Sequence, residues 1–200
     1  MIFRMSKPAA SVAHNSRDRR RFDAAFPDSE RLPPSLALTF EADGASVGLL
    51  QDGLPLGDRL TDSRRSADGY RFHDALHLAL ATKLGWSPVL RSLLGRKRRS
   101  DPEVDECEDG GRACMIEEAA CHLIHVYRDE ARILDGRTRL IELLRRATEG
   151  FEVESCGPTE WEEAIALGID LQSGLLASNG GMVRADLVAG KAFLLQPGTA

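Results

Sequence analysis

The sequence predicts a mainly α protein: a core of four or more helices with a small antiparallel sheet at its edge, built from one hairpin near each end of the chain. Three observations carry that expectation. Apolar residues recur at helical spacing through residues 70–84, 102–134, 137–149 and 159–178. Apolar–polar alternation is confined to the two ends, around Leu36-Ala37-Leu38-Thr39-Phe40 and again from Met182 onward. Glycine or proline punctuates the boundaries, as at Gly85, Gly95, Pro102, Gly136, Gly150 and Gly180-Gly181.

In chain order, residues 1–20 are polar and include the basic run Arg17-Asp18-Arg19-Arg20-Arg21. They read as a flexible N-terminal arm, or the remnant of a connection to something upstream, ahead of a single domain over residues 21–200. Residues 22–34, with Phe22, Phe26 and Pro33-Pro34, read as an extended segment packed on the surface. Residues 35–41 and 45–51 pair about the turn signal Asp43-Gly44. The helix from about residue 70 stops at Gly85, with Pro88 just beyond. Residues 86–94 form a short helix or turn that Gly95 ends. Asp101 is a good N-cap with Pro102 at the first helical position. That helix can continue to about residue 134, with Gly110-Gly111 as its weak point and Gly136 as its end. Leu140, Ile141, Leu143 and Leu144 define the third helix. The fourth starts at Thr159, where Glu162 completes a capping box. Residues 182–188 and 191–195 form a closing hairpin around Ala189-Gly190.

Composition narrows the function classes. Two hundred residues are enough for one domain with a real core, and 42% hydrophobic with 28% charged residues is ordinary for a globular protein. The net charge of −5 argues against nucleic acid as a partner, since basic residues occur only in local clusters. No apolar run approaches the ~20 residues of a membrane span, and no signal-peptide core follows the start, so the cytoplasm is the expected location. Cys107, Cys114 and Cys121 are spaced by seven and share a helix face; no CxxC pair marks a zinc knuckle.

The chemistry concentrates in residues 70–130. His73 and His77 stand four apart on one helical face, with Asp74 beside them. Glu106, Asp109 and Glu117 fall on a stripe that continues into Ala120, Ile124 and Tyr127. Carboxylates on an inward face are costly unless paired, protonated or bound to a cation. Between the two helices lies the basic run Arg96-Lys97-Arg98-Arg99. Plainer readings stand beside these: a hydrogen-bonded core histidine pair, a solvated basic turn, and Glu117 and Glu118 paired with Arg112 or the basic run. The HDxxH spacing also echoes the zinc-protease HExxH, and a His-Asp doublet occurs in HD-type phosphohydrolases, although only His14 is available upstream to complete that set.

The stretch LGDRLTDSRRSADGYRFHDALHLALATKLGWSPVLRSLLGRKRRSDPEVDECEDGGRACMIEE, residues 56–118, resembles the C-terminal region of bacterial MazG-like nucleotide pyrophosphohydrolases. YRFHDALH, LGWSPV and RKRRSDPEVDE are its most specific parts; FDAAFPDSERLPPSLALTF and the Glu160-Trp161-Glu162 region fit the same family, so the resemblance covers residues 21–195. Members commonly carry an all-α pyrophosphohydrolase domain upstream, with a magnesium signature of EExxE and ExxD. That upstream domain is not in this sequence. His73-Asp74-x-x-His77 takes the relative positions of EExxE, and Glu106-x-x-Asp109 reads as ExxD.

The resemblance implies a nucleotide-binding protein, and a metal-dependent hydrolase of nucleoside triphosphates in its fuller form. The alternative is a non-catalytic module that senses nucleotides or docks a separate MazG-like subunit; a purely structural helical module, or a homo-oligomer, is also open. The expected metal ligands are His73, Asp74, His77, Glu106, Asp109 and Glu117, with Glu118 as catalytic base. Arg96, Lys97, Arg98 and Arg112 are expected against phosphates. The ion is manganese, magnesium or zinc; two imidazoles weigh against magnesium, which prefers oxygen ligands.

Overall fold

A computed structural model describes residues 22–195 of the chain. The expectation of a mainly α protein is corrected to a mixed α/β fold: six α-helices and a six-stranded, fully antiparallel sheet. The strands are β1 (Ser35–Asp43), β2 (Ser46–Gln51), β3 (Leu54–Pro55), β4 (Leu60–Thr61), β5 (Gly180–Asp186) and β6 (Lys191–Leu195). The helices are α1 (Asp74–Leu84), α2 (Pro88–Leu93), α3 (Pro102–Cys107), α4 (Gly111–Val126), α5 (Leu134–Ala147) and α6 (Pro158–Ser178). The two hairpins are not separate edge pieces. β1 pairs with β2 on one side and with β5 on the other, so the sheet runs β3-β2-β1-β5-β6, with β4 also on β2. The N- and C-terminal ends of the domain meet in the middle of one sheet. A single-sequence pattern shows that a strand exists but not which strand lies beside it.

Alternation along β1 turns Leu36, Leu38 and Phe40 inward. With Val47, Leu49, Val183 and Ala185 they form the sheet side of a core that Phe72, Ala75, Leu78 and Ala81 complete. α1 has a second face: Leu76, Leu80 and Leu84 pack with Trp86, Ile124, Leu144, Trp161 and Ile165 in a helical core. α1 is therefore buried on both sides, which explains why its sequence is apolar nearly all round rather than striped. α6 lies against it closely enough that a Cβ on Gly168 would come within 2.8 Å of the Leu76 side chain.

The single helix expected over residues 102–134 is three pieces. Gly110 sits between α3 and α4 with φ −82° and ψ 179°, and a Cβ there would collide with the Glu106 carbonyl. Beyond α4, Tyr127 leaves helical geometry, Glu130–Arg132 make one 3₁₀ turn, and Ile133 is extended before α5. Gly136 does not end a helix but sits in the first turn of α5, where a Cβ would meet the Glu130 carbonyl. α6 starts earlier than Thr159: Glu160 accepts the Gly157 N–H at 2.8 Å, with Pro158 at the first helical position. The arm expected over residues 1–20 lies outside the described residues. Among the described residues no helix is long and apolar enough to cross a membrane.

The α1–α6 contact yields a direct test. Gly168→Leu forces a branched side chain into a filled interface, so it should cost roughly 1–3 kcal/mol of folding stability. A denaturation midpoint equal to that of the native chain would show that the helices are not packed this closely.

Candidate metal centre

His73 ends a 3₁₀ turn, Tyr70–Phe72, and is the N-cap of α1; His77 lies one turn into that helix. His73 is 7% exposed and His77 0%. Each imidazole has one nitrogen fixed by the fold. His73 Nδ1 is 2.9 Å from the Tyr70 carbonyl, and the Tyr70 ring stacks on it at 4.2 Å between centroids and 5° between planes. A carbonyl only accepts, so Nδ1 carries the proton. His77 Nδ1 is 2.8 Å from Glu117 Oε1. The other nitrogens turn toward α4: His73 Nε2 is 3.6 Å from Glu118 Oε2, and His77 Nε2 is 3.5 Å from Glu118 Oε1. His77 Nε2 is buried and has no hydrogen-bond partner.

Asp74 brings a carboxylate to the same place. One ligand atom from each of His73, Asp74 and His77 lies within 4.8 Å of the others. Burial pushes the Asp74 carboxyl above its ordinary pKa, against the pull of His77 and His73. His73 and His77 hold the Glu118 carboxyl well below the usual carboxylate range. Burial works against a proton on His77, but Cys121 and Glu117 outweigh it and its pKa ends well above the ordinary value. Cys121, whose Sγ is 3.5 Å from His77 Nδ1, is pushed up to about 11 by burial.

A family comparison joins this geometry to known proteins: the family described as the MazG C-terminal domain matches residues 17–196. The chain belongs to that family. No curated protein and no solved structure matches it. Within this MazG C-terminal domain, the residues expected at the site divide sharply. His73, Asp74 and His77 come together, with Glu118 across from them. Glu117 lies on the far side of His77 and takes hydrogen bonds from Ser87 Oγ at 2.5 Å and the Val89 N–H at 2.7 Å. Glu106 is exposed.

Asp109 and Arg98 belong to a different cluster. Asp109 accepts the Arg98 backbone N–H at 2.7 Å, its Nε at 3.0 Å and its Nη2 at 2.7 Å. Arg98 also reaches Glu152 with two bonds of 2.8 Å, and Arg91 joins Asp23 at 2.8 Å. Arg98 is 1% exposed, so the residue expected against phosphate is committed to the interior. Burial disfavours its charge, but Asp109 and Glu152 more than compensate and raise its pKa. Arg96 donates to the Asp28 carbonyl at 3.0 Å. Lys97 is half-buried and Arg112 is exposed; among the described residues neither makes an ion pair.

Three contributors were not anticipated from the sequence. The Tyr70 carbonyl, the Ser87 hydroxyl and the Val89 N–H each hold a polar group of the centre in place. Ser87-Pro88 is legible as a helix start, and Ser87 does accept the Leu90 N–H at 3.1 Å as an N-cap. Its second bond, to Glu117, spans 30 positions of chain and has no local signature.

Asp109 now has a structural role to test. Asp109→Asn puts an amide N–H₂ where a buried guanidinium needs an acceptor, and breaking a buried pair on one side costs roughly 3–5 kcal/mol. Chemical denaturation should show a loss of that order. A change under about 1 kcal/mol, the scale of an exposed pair, would contradict the burial seen here.

Proposed function

We propose that this MazG C-terminal domain binds nucleoside triphosphates, or closely related nucleotides, at a divalent transition metal, and hydrolyses them to monophosphate and pyrophosphate. The observation that carries the reading is His77 Nε2: a fully buried imidazole nitrogen with no hydrogen bond, 3.5 Å from the Glu118 carboxylate, on a ring whose other nitrogen is bonded to a carboxylate. Buried polar atoms are nearly always satisfied, and an exception calls for a cause. A ligand nitrogen is such a cause. In a tetrahedral site, metal–ligand bonds of about 2.0–2.1 Å set neighbouring donors about 3.4 Å apart, close to the spacing of Glu118 from both Nε2 atoms.

The donor set fits a borderline ion. His73 and His77 supply nitrogen, and Asp74 and Glu118 supply oxygen, a mixture that suits manganese, iron, zinc or nickel better than the all-oxygen preference of magnesium. When bound, such an ion neutralises phosphate oxygens and lowers the pKa of a coordinated water. His73 and His77 would hold it from α1 and Glu118 from α4, while Asp74 adds a carboxylate. Lys97 and Arg112 are the cations left for the polyphosphate. The four cysteines are free thiols, in keeping with the reducing cytoplasm proposed as its location.

A second reading has its own support. One member each of the ExxD-like pair and the basic run, Asp109 and Arg98, is committed to an internal cluster with Glu152. This favours a module that senses nucleotides, or docks a separate MazG-like subunit, without turnover.

Metal and nucleotide titrations separate the readings. After chelation, Mn²⁺ or Zn²⁺ should raise the melting temperature, with stabilisation near ~2.7 kcal/mol at a hundredfold excess over Kd; Mg²⁺ at the same concentration should do much less. His73→Gln with Glu118→Gln should remove the response. Pyrophosphate release should then follow the metal across a panel of nucleotides. A chelator-insensitive melting curve and no metal in the purified protein would sink the site. Metal binding with nucleotide-dependent stabilisation but no turnover would select the sensing module.

A further inference from the structure

The two nitrogens of His77 face different worlds. Two triads share this imidazole: His73, Asp74 and His77 on one side, and His77, Glu117 and Cys121 on the other. The sequence makes Glu117 a metal ligand as readily as His73. The geometry points to a different role: Glu117 is a positioning residue that fixes His77 so that only Nε2 can take the metal, and the Glu117–Cys121 side holds none. This rests on the metal reading above and names which residue sets its affinity.

The two oxygens of Glu117 are already engaged by three donors. Oε1 accepts from His77 Nδ1 at 2.8 Å and from the Ser87 hydroxyl at 2.5 Å, and Oε2 accepts the Val89 N–H at 2.7 Å. Glu117 is 0% exposed, on α4, and its partners come from α1 and from the start of α2. An ion among His77, Glu117 and Cys121 would have to break this arrangement and leave the Ser87 and Val89 donors to be re-satisfied in the interior. On the Nε2 side an ion replaces only the 3.5 and 3.6 Å contacts with Glu118, which becomes its ligand.

His73 gives independent support. It reaches the same orientation through an unrelated partner: its Nδ1 is held by the Tyr70 carbonyl and its plane by the stacked Tyr70 ring. Two imidazoles locked at Nδ1 by different acceptors both present Nε2 to Glu118. In metal sites an acceptor on the far nitrogen fixes tautomer and ring angle and makes the ligand more basic. Losing such a partner commonly weakens metal binding ~10–100-fold.

Glu117→Gln tests the role because an amide has one acceptor where three donors converge. With its oxygen toward His77 and Ser87, its N–H₂ opposes the Val89 N–H. Turned over, it donates to His77 Nδ1 and favours the tautomer with the proton on Nε2, the nitrogen the metal needs.

The probe is Co²⁺ alone, followed by its visible absorption, with the full chain. The expected result is a dissociation constant ~10–100-fold weaker in Glu117→Gln, with the absorption band recovered at saturation, and unchanged affinity in Cys121→Ser. Equal affinity in Glu117→Gln, or a large loss in Cys121→Ser, overturns the assignment while leaving a metal site intact. Should Glu117→Gln fail to fold, ¹⁵N spectra of the Zn²⁺-loaded native chain decide the matter. Metal on His77 Nε2 with a retained Nδ1–H supports the assignment, and metal on Nδ1 refutes it. A native chain that binds neither ion removes this proposal together with the site beneath it.

Discussion

A helix with no solvent face imposes the main constraint on this domain. α1 lies between the sheet and the other helices, with Leu78 turned to one core and Leu80 to the other. Any polar group it carries must be answered by a neighbour, because burying an unanswered one costs roughly 1–3 kcal/mol. Thr82 answers itself by bonding the Leu78 carbonyl at 2.6 Å. His77 cannot do so, and its answer comes from Glu117, forty positions along the chain. That carboxylate is in turn held by Ser87 and Val89 at the first turn of α2. One buried acceptor thus sets the relative placement of α1, α2 and α4.

The second buried acceptor, Asp109, does the same for the segments around it. It binds Arg98 in the linker after α2, and Arg98 reaches Glu152 ahead of α6. Arg91 adds Asp23 from the start of the described chain. This network explains the break between α3 and α4. Asp109 is turned inward to the guanidinium, and Gly110 supplies the extended backbone that no side chain could occupy there. Part of the charge that looks surplus in the sequence, where a basic run meets an acidic helix, is neutralised internally. Arg98 alone accounts for two carboxylates.

Local signals in the sequence located α1, the start of α3 and both hairpins, because strand alternation, an Asp-Pro cap and Gly85 act within a few residues. The joining of the hairpins through β1 and β5 was not legible: a nine-residue strand with one buried face looks the same whether it has one neighbour or two. The stripe running through Asp109 and Glu117 was real as periodicity but joined residues from both sides of a break. Its members therefore point to different partners. HDxxH was legible as a cluster because both imidazoles lie on one turn of one helix. Which carboxylates face them was not, since that depends on how α4 is rotated against α1. Glu118, read as a base from its position, faces both imidazoles, while Glu117 next to it faces the other nitrogen of His77.

The contrast between these adjacent glutamates separates the two nitrogens of His77. His125 shows a similar division: Nδ1 is 3.1 Å from Gln172 Oε1, while Nε2 is 3.6 Å from an Asp68 carboxylate that is itself tied to Arg64 and the Tyr70 N–H. At His77 the fold satisfies Nδ1 with a carboxylate already bonded to two other donors, and sets Nε2 3.5 Å from the half-exposed Glu118 carboxylate. Two imidazoles, held at Nδ1 by different acceptors, turn Nε2 toward one carboxylate.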